Sequence, residues 1–263
     1  MTAPFSFRKI LTLLVATLLL SSFTLAITLL TKSNRAADPL KSRPKIFLWA
    51  WERPTDLRFI DTKQVGVAFL AKSIQLKSDD VSVRPRLQSL ELAEGAKVIA
   101  VTRIETDHNH KPGLSSKQRE IVSRAITDMA SWPNVSEIQI DFDATQSERT
   151  FYRDLITDVR QNLPRGIRLS ITALASWCMY DDWLADLPID EAVPMLFRMA
   201  GDGKQIVNRL NAGDDFNAAP CRQSYGISLD EQPPKLFPAR KLFVFNPDAW
   251  TEKSVREISE SNQ

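Results

Sequence analysis

From Lys45 to the C-terminus, short β-rich runs recur along the chain, separated in several places by stretches with helical spacing. The runs are Lys45–Trp51, Val65–Leu70, Lys97–Glu105, Glu137–Asp143, Arg168–Trp177, Glu191–Met199, Ser224–Asp230 and Lys241–Asn246. Helical spacing covers Ser115–Ser131, where Ile121, Ala125, Ile126 and Met129 repeat every three or four residues, and Ser147–Leu163, which carries Phe151, Leu155, Ile156 and Val159 before Pro164. Lys204–Leu210 and Thr251–Ser259 are shorter versions. Such alternation places parallel strands side by side with helices outside them. Eight strands close naturally, so the expected fold is α/β: a single (β/α)8 barrel. The alternative, an open doubly wound sheet, usually carries a glycine-rich phosphate turn after its first strand. Here Trp49-Ala50-Trp51-Glu52-Arg53-Pro54 stands in that place, and the chain has only 8 glycines, so no nucleotide cofactor is expected. Segment 72–96 breaks the alternation; it is charged and β-like around Val81–Val83, and reads as a small hairpin inserted after the second strand.

The N-terminus is of another kind. No charged residue occurs from Ile10 to Thr31. That run exceeds the ~7–15 apolar residues of a secretory signal core, and as a helix it would span a ~30 Å hydrocarbon layer. Arg8 and Lys9 precede it while Lys32 and Arg35 follow, so flanking charge orients it only weakly. Residues 1–31 are expected to be an uncleaved signal-anchor, with a signal peptide cut near Thr24-Leu25-Ala26 or an unusual buried helix as alternatives. Residues 32–44, polar with Pro39 and Pro44, form a linker to the barrel domain at 45–263. The body is then extracytoplasmic, on the periplasmic side, with the inner membrane as a partner through the tether. Cys178 and Cys221 suit that compartment, either bridged or as two small buried hydrophobes. With no C-x-x-C and only two histidines, zinc is not expected.

The basic excess, 34 cations against 32 acids, comes from Arg8, Lys9, Lys32 and Arg35, and the rest of the chain holds slightly more acids than bases. A nucleic-acid surface needs clustered cations, so that partner is not expected. The chemistry is carried by carboxylates. In Glu137-Ile138-Gln139-Ile140-Asp141-Phe142-Asp143, strand alternation puts the apolar residues on one face and Asp141 and Asp143 on the other. A barrel aims that second face inward, and the C-terminal end of a strand is where barrel enzymes place catalytic groups. The bland alternative is an internal ion pair with Arg103 or Arg198. Asp230 and Glu231 end the seventh run in the same way, or else form a surface turn before Pro233-Pro234. Carboxylates from separate strands suit glycosidic cleavage, in which one acid protonates the leaving oxygen while another attacks or activates water. Arg103 and Glu105 share a face at the end of the third run and Glu52 closes the first; the glutamates are reserve acid–base groups or solvated loop edges.

Trp49, Trp51 and Trp177 lie at strand ends, where aromatic faces stack on sugar rings or simply pack the core. Asp107-His108-Asn109-His110 has metal-like composition but lacks a third well-placed ligand, and reads as a polar loop. No Gly-x-Ser-x-Gly setting exists for a serine nucleophile.

Several of these blocks resemble an uncharacterised bacterial family, a domain of unknown function that looks like a glycosidase-type β/α barrel. They are Phe47–Pro54, Ile138–Ala144, Leu169–Cys178, Val193–Met199 and Gly226–Glu231. The resemblance covers about residues 45–247 and implies fold more firmly than activity. The Asp141-Phe142-Asp143 block is also similar to the chitinase-type signature, but Thr145 stands where that signature has its glutamate proton donor. The expected function is therefore a glycoside hydrolase acting on an exported or envelope polysaccharide. Asp143 would be the general acid, with Asp141 tuning it, and Asp230 or Glu231 the nucleophile or base. Trp49, Trp51, Glu52, Arg103, Glu105, Trp177 and Arg198 would hold the oligosaccharide, without a metal or cofactor. The alternative from another class is a non-catalytic polysaccharide-binding or envelope-assembly protein on a degenerate barrel. A metal-dependent lyase or aldolase using Asp107, His108 and His110 is a third.

Overall fold

A computed structural model of the chain describes residues 44–261, so the N-terminal segment and nearly all of the expected linker lie outside the described residues. Eight parallel strands form the barrel: β1 (Ile46–Ala50), β3 (Val65–Lys77), β6 (Val98–Thr106), β7 (Val135–Asp141), β8 (Arg168–Leu174), β9 (Glu191–Met195), β10 (Ser224–Ser228) and β11 (Lys241–Phe245). Each pairs with the next, and β1 pairs with both β3 and β11, which closes the ring. The expectation of a closed α/β barrel is met in its strands. The helix layer is sparser than a full (β/α)8 pattern. Among the described residues it consists of α1 (Ser116–Thr127), α2 (Arg149–Asn162), α3 (Ala175–Tyr180), α4 (Gly203–Ala212) and α5 (Glu252–Ser261), and none of these is long and apolar enough to cross a membrane.

Residue parity explains the two cores. Outward residues such as Leu48, Val67, Ile138, Ile140, Leu169, Ile171 and Val244 pack against the helices. Inward residues Phe47, Trp49, Ala68, Ile99, Val101, Val193 and Phe243 fill the barrel. Each large buried side chain of this kind stabilises the fold by about 1.5–3 kcal/mol relative to exposure. Filling the bore with Phe47 and Trp49 requires glycine opposite them. A Cβ on Gly66 would lie 2.5 Å from the Phe47 ring, and one on Gly226 2.9 Å from Trp49 Cη2.

Two helices begin where the local signals put them. Ser115 caps α1 in a reciprocal box with Gln118, and Thr145 forms the same box with Glu148 ahead of α2. Phe151, Leu155, Ile156 and Val159 are the buried face of α2.

Several strand ends differ from expectation. The fourth strand stops at Asp141, leaving Asp143 in the following loop. The fifth stops at Leu174, and Ala175–Tyr180, expected as strand as far as Trp177, form α3. The sixth stops at Met195, because Arg198 has φ +49° and cannot continue an extended chain. The second strand runs on past Leu70 to Lys77 and pairs antiparallel with β4 (Asp80–Pro85), which makes the inserted hairpin. Beside it, β2 (Thr55–Leu57) and β5 (Leu90–Leu92) form a separate two-stranded sheet. Cys178 and Cys221 are bridged, with Cα atoms 5.8 Å apart, tying α3 to the turn before β10.

Candidate active site

The C-terminal ends of the strands surround a cavity of about 560 Å³, a size suited to a small organic ligand. Its floor is Trp49, 4% exposed, whose indole Nε1 donates to Gln139 Oε1 at 3.0 Å. Its wall includes Trp51, Phe197 and Phe245. The last two are parallel, with ring centres 5.8 Å apart, and the Arg198 guanidinium lies 5.1 Å from the centre of Phe245.

Asp141 is buried at the inner edge of this cavity. Thr172 Oγ1 donates to its Oδ1 at 2.6 Å, and Arg103 Nη1 donates to its Oδ2 at 3.0 Å. Burial raises the Asp141 pKa above the ordinary carboxylate value; the Arg103 charge opposes that shift and the neighbouring Asp143 adds to it. The same Arg103 nitrogen reaches Asp143 Oδ2 at 3.1 Å, and Arg103 Nε lies 3.6 Å from Glu105. Burial alone would lower the Arg103 pKa, but Asp141 and Asp143 together raise it well above the usual guanidinium value. The inward aim of both aspartates and the ion pair with Arg103 are therefore present together. The two differ in access. Asp141 is spent on partners, whereas the Asp143 side chain is 40% exposed and lines the cavity.

A β-bulge decides what faces the aspartates from β3. The register slips between Leu70 and Lys72, so Ser73 faces the cavity opposite Arg103. Lys72 points outward, donates to Ala125 O at 2.6 Å and sits over Trp132. Ser73 Oγ donates in turn to Glu52 at 3.3 Å.

Of the residues expected from sequence, Trp49, Trp51, Glu52, Arg103, Glu105, Asp141, Asp143 and Arg198 line one cavity. Asp230, Glu231 and Trp177 do not. Both oxygens of Glu231 accept the backbone N–H of Arg198, at 2.9 and 3.1 Å. Asp230 accepts from the Ser228 hydroxyl and lies 3.7 Å from the Arg198 guanidinium. Those contacts, the Ser228 hydrogen bond first, lower its pKa below the ordinary value. The pair thus holds the left-handed loop at Arg198, because a turn after Ser228 swings the two acids past the rim. Trp177 packs edge-on against Trp183, with ring centres 5.0 Å apart, beneath Arg149.

Sequence reading missed Thr172, Ser73, Arg84, Phe197, Phe245 and Asp202 in the lining. Thr172 and Phe245 were findable by parity, two residues beyond the inward Ser170 and Phe243. Ser73 and Arg84 were not, since the bulge and the hairpin pairing that aim them are tertiary. In the loop after β6, Asp107 Oδ1 accepts the backbone N–H groups of Asn109 and His110. No group of three or more His, Cys, Asp or Glu side chains among the described residues is arranged to hold a metal ion. No protein-family model matches the chain, and no curated protein does either.

Proposed function

We propose that this protein is a glycoside hydrolase of an exported or envelope polysaccharide, with Asp143 as its acid–base group. The observation that carries the reading is the contrast between the two aspartates. Asp141 is locked by Thr172 and Arg103, while Asp143 stands at the cavity surface with only one oxygen bonded, to Arg103. The other oxygen has no partner among the described residues and can reach a glycosidic oxygen. Asp143 protonates that oxygen as the C–O bond breaks, and a second carboxylate attacks the sugar carbon or takes a proton from the attacking water. With Asp230 and Glu231 committed to the Arg198 loop, the second carboxylate is one of Glu52, Glu105 and Asp202, all of which line the cavity. Trp51, Phe197 and Phe245 give sugar rings an apolar surface. The resemblance to glycosidase-type barrels supports the same class. The uncharged run Ile10–Thr31 and the Cys178–Cys221 bridge support a body held on the periplasmic side of the inner membrane by its N-terminal segment.

One observation favours the non-catalytic alternative: Thr145, in the place of a glutamate donor, donates its hydroxyl to Glu148 at 2.8 Å. Reducing-end release from a panel of bacterial polysaccharides separates the two. Wild-type protein should release ends, and Asp143→Asn should lower the rate by about 10²–10⁴-fold. Tight binding by both proteins with no product would replace hydrolysis by polysaccharide binding.

A further inference from the structure

Beside the main cavity, a side hollow of about 180 Å³ opens along the β3–β4 hairpin. Glu52, Leu70, Ser73 and Arg84 line both spaces, so the two adjoin across these side chains. Charge is distributed unevenly between them. The main cavity sets Asp141, Asp143, Glu105 and Asp202 against Arg103 and Arg198, whereas the side hollow sets Arg84 and Arg86 against Glu52 alone.

The two side-hollow guanidiniums are used differently. Arg86 is committed: Nη1 donates to the carbonyls of Ala50, at 3.2 Å, and Trp51, and Nη2 donates to the carbonyl of Arg53 at 2.6 Å. It fixes the loop that carries Trp51 and Glu52. Arg84, paired in the backbone ladder with Ser73, holds its guanidinium at the junction of the two spaces with no ion pair or hydrogen bond to any described residue. The other two guanidiniums of the main cavity have acidic neighbours, Arg103 within 3.1 Å and Arg198 at 3.7 Å. Glu52, the acid in the lining of the hollow, accepts the Ser73 hydroxyl and keeps its charge, so the hollow sets two guanidiniums against one carboxylate.

Resting on the hydrolase reading, we infer that this hollow is a subsite for an anionic sugar, and that the substrate is an acidic polysaccharide. Its charged residue lies beside Arg84 while a neighbouring linkage lies at Asp143. A guanidinium fork matches a planar carboxylate by two parallel hydrogen bonds, and the field of Arg86 behind it adds attraction without a contact. The negative centre of the main cavity discourages the same charge from sitting there, which sets the register of the bound chain.

The test is calorimetric titration of the full-length protein with four defined oligosaccharides: a uronate oligomer, its carboxyl-reduced form, a sulfated form of that reduced backbone, and a neutral glucan oligomer. The wild type should bind the uronate about tenfold more tightly than the reduced form. Arg84→Ala should abolish that preference and leave affinity for the reduced form unchanged, and Arg84→Lys should restore part of it. Arg84 is exposed on an edge strand, so unchanged binding of the reduced oligomer also reports an intact fold. A sulfated oligomer bound as tightly as the uronate, and equally dependent on Arg84, supports an anion subsite indifferent to the acid group. Equal binding of charged and uncharged forms by the wild type overturns the inference but leaves the hydrolase reading standing. So does a uronate preference that survives Arg84→Ala. Failure of the wild type to bind any of the four overturns the inference, whereas the hydrolase reading falls only if no polysaccharide of the panel yields reducing ends.

Discussion

Arg103 holds together the charged part of the site. It bonds Asp141 and Asp143 through a single nitrogen and approaches Glu105, and its own side chain is 27% exposed. Taking away one partner of a buried charge pair leaves the other charge desolvated and unmatched, which costs about 3–5 kcal/mol. Arg103→Met should therefore destabilise the protein by about that amount in urea unfolding, because Asp141 then keeps only the Thr172 hydroxyl. A loss below about 1 kcal/mol, the range of exposed pairs, would mean that water replaces the guanidinium at no cost and that the pair has no structural role. Asp141 is thus fixed by Thr172 and Arg103, and Asp143 is bonded to the same cation.

At the level of elements, the C-terminal rim depends on connections more than on strands. The Cys178–Cys221 bridge closes a loop with a sequence separation of 43 between the short helix α3 and the turn that enters β10. Chain-entropy scaling for a loop of that length gives about 4 kcal/mol of stabilisation. Replacing both cysteines by serine should lower Tm by roughly 10 °C for a domain of this size. A shift of only about 1–2 °C would show that the surrounding packing, not the cross-link, fixes α3. The loop after β9 is held differently. Its left-handed residue Arg198 is secured by Glu231 from the neighbouring loop, so a side chain expected to do chemistry instead aims another residue at the cavity.

For the barrel as a whole, the end opposite the site is closed by a second set of charges. Glu137, Arg168, Glu191 and Lys241 come from four strands and meet inside the bore, with Arg168 Nε 3.2 Å from Glu137, Arg168 Nη2 3.5 Å from Glu191, and Lys241 bonded to Glu191. Burial, reinforced by the Glu191 charge, raises the Glu137 pKa above its ordinary 4.5, against the pull of Lys241 and Arg168. A carboxyl whose folded pKa is raised binds its proton more tightly in the folded chain. Its contribution to stability is complete below the ordinary pKa and is lost as pH rises through the folded value. Glu137→Gln removes that loss. Its stability relative to wild type should therefore increase as pH rises above the ordinary carboxylate value in urea titrations; a decrease would overturn the assignment. Asp190 and Asp215 act in the opposite sense. Their partial burial is outweighed by hydrogen bonds, from the Leu169 N–H and Arg160 to Asp190 and chiefly from Arg240 to Asp215, so both pKa values are lowered. The stability they contribute is present above the ordinary aspartate value and is lost on acidification.

The number and order of the barrel strands, and the inward parity of Asp141, Arg103 and Glu105, were legible from the amino-acid order alone, whereas Asp143 reaches the cavity from the loop after its strand. Side chains alternate strictly along a strand, and a closed barrel has only one inside. What parity cannot reach is any residue beyond a strand end or past a change of register. Asp230 and Glu231 keep the sequence pattern of inward acids but lie after the turn that follows Ser228, and they bind the Arg198 loop. Trp177 falls in a helix where a strand was expected and turns into the core. Ser73 reaches the cavity through a bulge, and Arg84 through the antiparallel return of a hairpin. Local periodicity determines which face a residue takes within an element. Where an element stops, slips or is clasped by a neighbour depends on contacts between residues far apart in the chain, and those contacts decided which charges share the cavity.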